Sequence, residues 1–173
     1  MSKTFGAALL LASALAIAAG PAQALQLVVR QIDKNANGTS TYHFAVKTDP
    51  GETLAPGADF VTVYNFAGLV PGSTKSPAGW AFSSKVFGQT PTWNGYAAVV
   101  PVDMPGLHNL TWTAKKAVAG GQEVEGFSAT TRTGATTQGE YSAQVTQQAG
   151  GKSKSSKLAL IGQIPTPGYL TTK

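Results

Sequence analysis

The chain has 173 residues, 42% apolar and only 12% charged, with 13 Lys and Arg against 8 Asp and Glu, a net charge of +5. It holds 20 Gly, 10 Pro and no Cys, which excludes a coiled coil, a long helical bundle, a disulfide-stapled domain and any thiolate metal centre. With 7 Phe, 5 Tyr and 3 Trp to fill a core, the composition also excludes a disordered chain.

At the amino end, Lys3 precedes an uncharged run from Phe5 to Gly20, FGAALLLASALAIAAG, that closes on Pro21-Ala22-Gln23-Ala24. A short positive region, an apolar stretch and small residues at A-x-A spacing read as a secretory signal peptide cut after Ala24. The apolar stretch falls short of the roughly 20 residues of a membrane span, and Pro21 interrupts any continuing helix. Residues 1–24 are therefore expected to be removed on export, leaving a secreted or periplasmic chain. No further apolar run is long enough to span a membrane.

From Leu25 onward the hydrophobic period is two rather than 3.6. Residues 25–32 place Leu25, Leu27 and Val29 on one face, and residues 39–47 place Tyr42, Phe44 and Val46 on one face with His43 and Lys47 opposite. Asn35-Ala36-Asn37-Gly38 between them is a hairpin signal. Further strands are expected over 59–66, 79–87, 107–115, 123–131, 140–148 and 158–164. Pro71, Pro77, Pro91, Pro101 and Pro105 make residues 67–106 partly loop. Short strands at this spacing predict an all-β fold, an antiparallel β-sandwich of immunoglobulin-like or jelly-roll-like kind over residues 25–164. Residues 165–173 read as a flexible C-terminal tail.

The candidate chemistry is sparse. Asp33 to Gly38 matches the first half of a calcium loop, but its twelfth position is Phe44 rather than Glu, so a hairpin turn is expected. His43 is expected to face solvent, and His108 opens a strand with no G-x-S-x-G elbow in the chain to serve. Glu123 and Glu125 lie two apart on a strand, a solvated face rather than an acid–base pair. Trp80 and Trp112 share parity with core residues. Trp93 and Tyr96, flanking Asn94-Gly95, are expected to pack in the core or their hairpin, as large aromatics do, with exposure to meet a ligand as the alternative. Lys152, Lys154 and Lys157, in a Gly/Ser-rich stretch, make a small basic loop that suits an anionic polysaccharide or lipid head groups, with a solvated connection as the alternative. No catalytic residue, metal site or cofactor is expected, and no nucleic-acid partner.

The run Asp59 to Ser73 (DFVTVYNFAGLVPGS), followed by Pro77-Ala78-Gly79-Trp80, Leu107 to Thr113 (LHNLTWT) and Gly126 to Thr130 (GFSAT), carries a resemblance. Together these segments resemble exported proteins of the PEP-CTERM type from exopolysaccharide-producing Gram-negative bacteria, over roughly residues 57–148. The resemblance implies an envelope or matrix protein and transfers no functional residue. Such proteins end in a Pro-Glu-Pro sorting signal, a membrane span and a basic tail, whereas this sequence reads Pro165-Thr166-Pro167-Gly168, so a freely released or periplasmic form is expected. The functional expectation is a non-enzymatic envelope or extracellular-matrix protein. The alternatives are a carbohydrate-binding module, with neutral or anionic polysaccharide or another envelope protein as partner, and a fibre or pilus-like subunit assembling through edge strands.

Overall fold

Alternating apolar and polar residues build strand after strand along the chain. The computed structural model describes residues 24–93, 96–148 and 155–168. Most of the expected leader therefore lies outside the described residues. The strands are β1 Gln26–Lys34, β2 Ser40–Lys47, β3 Glu52–Thr53, β4 Phe60–Phe66, β5 Trp80–Lys85, β6 Thr92–Trp93, β7 Tyr96–Ala97, β8 His108–Ala114, β9 Glu123–Thr131, β10 Thr136–Gln148 and β11 Ser155–Pro167. All eight expected strands are present, joined by the short β3, β6 and β7. No helix among the described residues is long and apolar enough to cross a membrane.

The strands form two main antiparallel sheets, one ordered β1-β2-β9 and the other β11-β10-β4-β8-β5 with β3 alongside β10, and a separate β6-β7 pair. Their facing sides make the core of a β-sandwich. The small sheet contributes Leu27, Tyr42, Phe44, Val46, Phe127 and Ala129, and the large sheet Val61, Val63, Leu110, Trp112, Ala143, Val145 and Ile164. Trp112 is fully buried, ringed by Phe44 at 5.7 Å, Phe82 at 5.5 Å and Phe127 at 5.6 Å between ring centroids. Its indole N–H donates to the backbone carbonyl of Lys75 at 3.2 Å, so the bulkiest core residue leaves no polar atom unpaired.

Two departures from strict alternation matter. Asn65 takes a left-handed backbone (φ 56°) where the β4–β8 register shifts between Val63 and Phe66. This bulge reverses parity: Tyr64 faces away from the core, whereas Phe66 turns inward onto Tyr42, 5.6 Å between centroids. The second concerns the carboxyl end. β11 runs on through Pro167, which pairs with Thr136, and Thr166 is buried, so residues 165–167 belong to the sandwich rather than to a flexible tail.

The stretch between β4 and β5 seals one side of the molecule. Val70 donates to Thr130, Arg132 donates to Gly68, and Lys75 exchanges hydrogen bonds with Ser128, closing the free edge of β9.

Candidate functional site

The stretch from Val86 to Leu107, between β5 and β8, leaves the sandwich edge and crosses the outer face of the large sheet. Gly88 lies directly on the Tyr64 ring, where a Cβ would sit 2.3 Å from Tyr64 Cε1; only glycine permits that approach. Beneath the excursion a polar layer is buried. Tyr64 Oη donates to the Gln89 carbonyl at 2.8 Å and meets Ser142 Oγ at 2.9 Å, and Thr62 Oγ1 donates to the same carbonyl at 2.9 Å. Burial pushes the Tyr64 hydroxyl above its usual value of 10.0, so it stays a neutral donor at physiological pH.

The far end is pinned as firmly. The Asn65 amide donates to the Val102 carbonyl at 2.7 Å and its oxygen accepts from the Met104 N–H at 2.7 Å, which gives the bulge a purpose. Asn109 Nδ2 donates to the Val86 carbonyl and to Asp103 Oδ1, while Asp103 Oδ2 accepts from the Gly88 N–H. Glu140 on β10 accepts from the Val102 N–H.

On this fixed base many of the outward side chains are large and apolar. Among the described residues, the exposed large hydrophobics are Val86, Phe87, Trp93, Tyr96, Val100, Val102 and Ile161. All but Ile161 lie on the excursion, and Ile161, on β11 opposite Ser142, faces the same outer side. Trp93 and Tyr96 pair directly across the short β6–β7 ladder and are 57% and 79% exposed. They are thus presented outward rather than buried in their hairpin. A cleft of about 300 Å³ runs beside Val102, lined by Asn65, Gln138, Glu140 and Gln163. Exposed aromatic faces can hold the apolar side of a ligand, and a cleft lined by amides and a carboxylate can hydrogen-bond polar groups.

Of the expected basic cluster, the described residues include Lys157 alone. Lys157 is not in a solvated loop: it lies in β11, and its ammonium group hydrogen-bonds the fully buried carboxylate of Asp59 and the hydroxyl of Thr146. Lys152 and Lys154 lie outside the described residues. Ala24 lies two residues before β1, half-buried and beside a cleft formed with Asp49 and Pro50.

The remaining polar candidates are held in surface pairs. His43 Nε2 is 2.8 Å from Asp33 Oδ2, and that aspartate sits at the base of the Asn35–Gly38 turn. Glu123 ion-pairs with Arg30 and Lys47, and Glu125 Oε1 lies 3.9 Å from the Arg30 guanidinium. His108 Nδ1 is 2.9 Å from Ser84 Oγ, a contact across neighbouring strands that the sequence does not advertise. Among the described residues, no group of three His, Cys, Asp or Glu is arranged to hold a metal ion. No protein-family model, curated protein or solved structure matches the chain.

Proposed function

We propose that this chain is an exported, non-enzymatic protein of the bacterial cell envelope or extracellular matrix, of PEP-CTERM kind, and that it works by holding neutral polysaccharide on the outer face of its large sheet. The observation that carries the reading is the concentration of exposed apolar side chains on one hydrogen-bonded excursion, Val86 to Val102. A soluble protein rarely leaves such a patch without a partner. Trp93 and Tyr96 offer flat, amphipathic rings at little entropic cost on binding, because two torsions fix each one. Such rings stack on the C–H faces of sugars, and Gln138, Gln163 and Glu140 in the cleft beside Val102 suit sugar hydroxyls.

Neutral polymer is favoured over anionic because Lys157, the described lysine of the basic cluster, spends its charge on Asp59. Export rests on the signal-peptide pattern before Ala24. The non-enzymatic reading is supported by the engagement of His43 with Asp33 in a surface hydrogen bond and of Glu123 and Glu125 with Arg30.

Affinity electrophoresis through gels cast with a neutral glucan or with an acidic polysaccharide tests this. Retardation is expected in the neutral gel, and Trp93→Ala and Tyr96→Ala should each weaken it by about tenfold or more, the loss typical of a binding hot spot. No retardation of the native protein, or equal retardation of native and variants, would contradict the proposal.

A further inference from the structure

We infer that β11 is a self-pairing edge, through which two copies of this chain join their large sheets about a two-fold axis at Ile161. The inference stands apart from the choice of ligand.

The argument begins with hydrogen-bond phase. Gly168 N–H donates to the Ala135 carbonyl at 2.9 Å, extending the unbroken β10–β11 register. Opposed pairs in an antiparallel ladder alternate between bonded and non-bonded. The even-numbered residues of β11 therefore bond β10, and the odd-numbered ones turn N–H and C=O away from it. The two prolines agree with this phase: Pro165 and Pro167 occupy outward positions, where no ladder bond to β10 is lost.

The outward edge of Ala159, Ile161 and Gln163 is paired with no other described strand. Natural sheets protect such edges with charge, bulges or proline. Neighbouring β1 is protected in this way, with a register shift between Val29 and Gln31 and the charges of Arg30, Asp33 and Lys34. The β9 edge is covered by residues 68–75. By contrast, β11 from Leu158 to Gln163 carries no charge, no proline and no bulge, and Ile161 at its middle is 46% exposed.

The occupant that fits is a second copy. Ile161 is the midpoint of Ser155–Pro167 and has its amide pointing outward, so antiparallel pairing about it maps the strand onto itself from end to end. Ala159 then exchanges hydrogen bonds with Gln163 of the other copy, and Ile161 with its own equivalent. The carbonyl of Pro165, an exposed residue, accepts from the N–H of Lys157. No charges oppose each other near the axis, because the Lys157 ammonium is neutralised by Asp59 in its own chain. The axis is normal to the sheet, so both excursions emerge on the same side, and a long polymer can engage them together. A two-fold contact of this kind uses both edges and closes.

Sedimentation equilibrium of the full chain from micromolar to millimolar concentration tests the inference, with a disulfide test of register. A monomer–dimer equilibrium is expected. Ile161→Lys, which faces two ammonium groups across the axis, should raise the dimer dissociation constant by about tenfold or more. Ala159→Pro, which removes only an outward N–H, should do the same while leaving the thermal midpoint unchanged at dilutions where both proteins are monomeric. Because the chain has no cysteine, Ile161→Cys introduces a single thiol. Its Cα would lie about 5.5 Å from its equivalent, within disulfide range, so it should cross-link on mild oxidation, whereas Gln163→Cys should not. A monomer at all concentrations, a dimer indifferent to both edge variants, equal cross-linking at the two positions, or open-ended polymer would each overturn the inference.

Discussion

Lys157 bonds the carboxylate of Asp59, a side chain with no solvent exposure that also accepts from the Ala55 N–H and the Thr146 hydroxyl, both at 2.7 Å. Removing the lysine leaves that charge buried without its counter-ion. Lys157→Met should therefore lower unfolding free energy by about 3 kcal/mol in urea titrations, the low end for a broken buried pair because the ammonium keeps some solvent contact. A loss below about 1 kcal/mol, the range of surface ion pairs, would contradict this account of the site.

Glu52 makes a different residue-scale case. Burial raises its pKa above the ordinary 4.5, against hydrogen bonds from the backbones of Asp49 and Leu25. A raised carboxyl pKa in the folded state penalises the charged form. The penalty is absent below the ordinary value and grows as pH rises through and above it. In the full chain, Glu52→Gln should therefore raise the thermal midpoint at pH 7 and leave it unchanged at about pH 4, measured by scanning calorimetry. In a chain processed after Ala24, the amino terminus of Leu25 would lie beside the carboxylate as a cation. The same substitution should then lower the midpoint at pH 7. A midpoint unmoved at pH 7 in both forms would contradict this placement of charge.

At the scale of elements, period-two alternation was enough to place eight strands and the Asn35–Gly38 turn, because each of those strands buries one face against the opposite sheet. What alternation could not carry were events that break it. The bulge at Asn65 gives Tyr64 and Phe66 opposite directions despite equal parity, and partners distant in sequence, Val102, Met104 and Asn109, account for it. Pro165 and Pro167 read as an end to structure, yet prolines are compatible with a strand wherever the missing N–H points away from the partner. Lys157 read as part of a loop because its partner, Asp59, is 98 positions away. Trp93 and Tyr96 were recognisable as a pair from Asn94-Gly95, but their exposure follows from how the excursion is anchored. That anchoring is testable at Gly88. Gly88→Ala drives a methyl group into the Tyr64 ring and should cost about 1–3 kcal/mol. It should also speed proteolytic cleavage between residues 86 and 104 ahead of global unfolding. Unchanged stability together with unchanged cleavage would mean that the excursion is not seated on Tyr64.

At the scale of the whole molecule, the sandwich divides its surface by chemistry. The outer face of the small sheet carries polar pairs, among them the Arg30–Glu123 ion pair and the His43–Asp33 hydrogen bond. The outer face of the large sheet carries a buried polar layer roofed by an apolar excursion. One lateral side is sealed along β9, and the other offers the uncharged edge of β11. The proposed polysaccharide binding draws on the excursion, and the proposed pairing on the β11 edge. The three tryptophans report on it from different depths, since Trp112 is buried, Trp80 is half-buried and Trp93 is 57% exposed.

Tryptophan fluorescence during titration with a neutral polysaccharide therefore tests the central claim most directly. The account predicts that Trp93, the solvent-facing emitter, shifts to shorter wavelength and loses accessibility to an aqueous quencher as polymer is added, and that Trp93→Phe abolishes both changes. Emission and quenching that stay constant up to saturating polymer, or a shift that persists in Trp93→Phe, would contradict it.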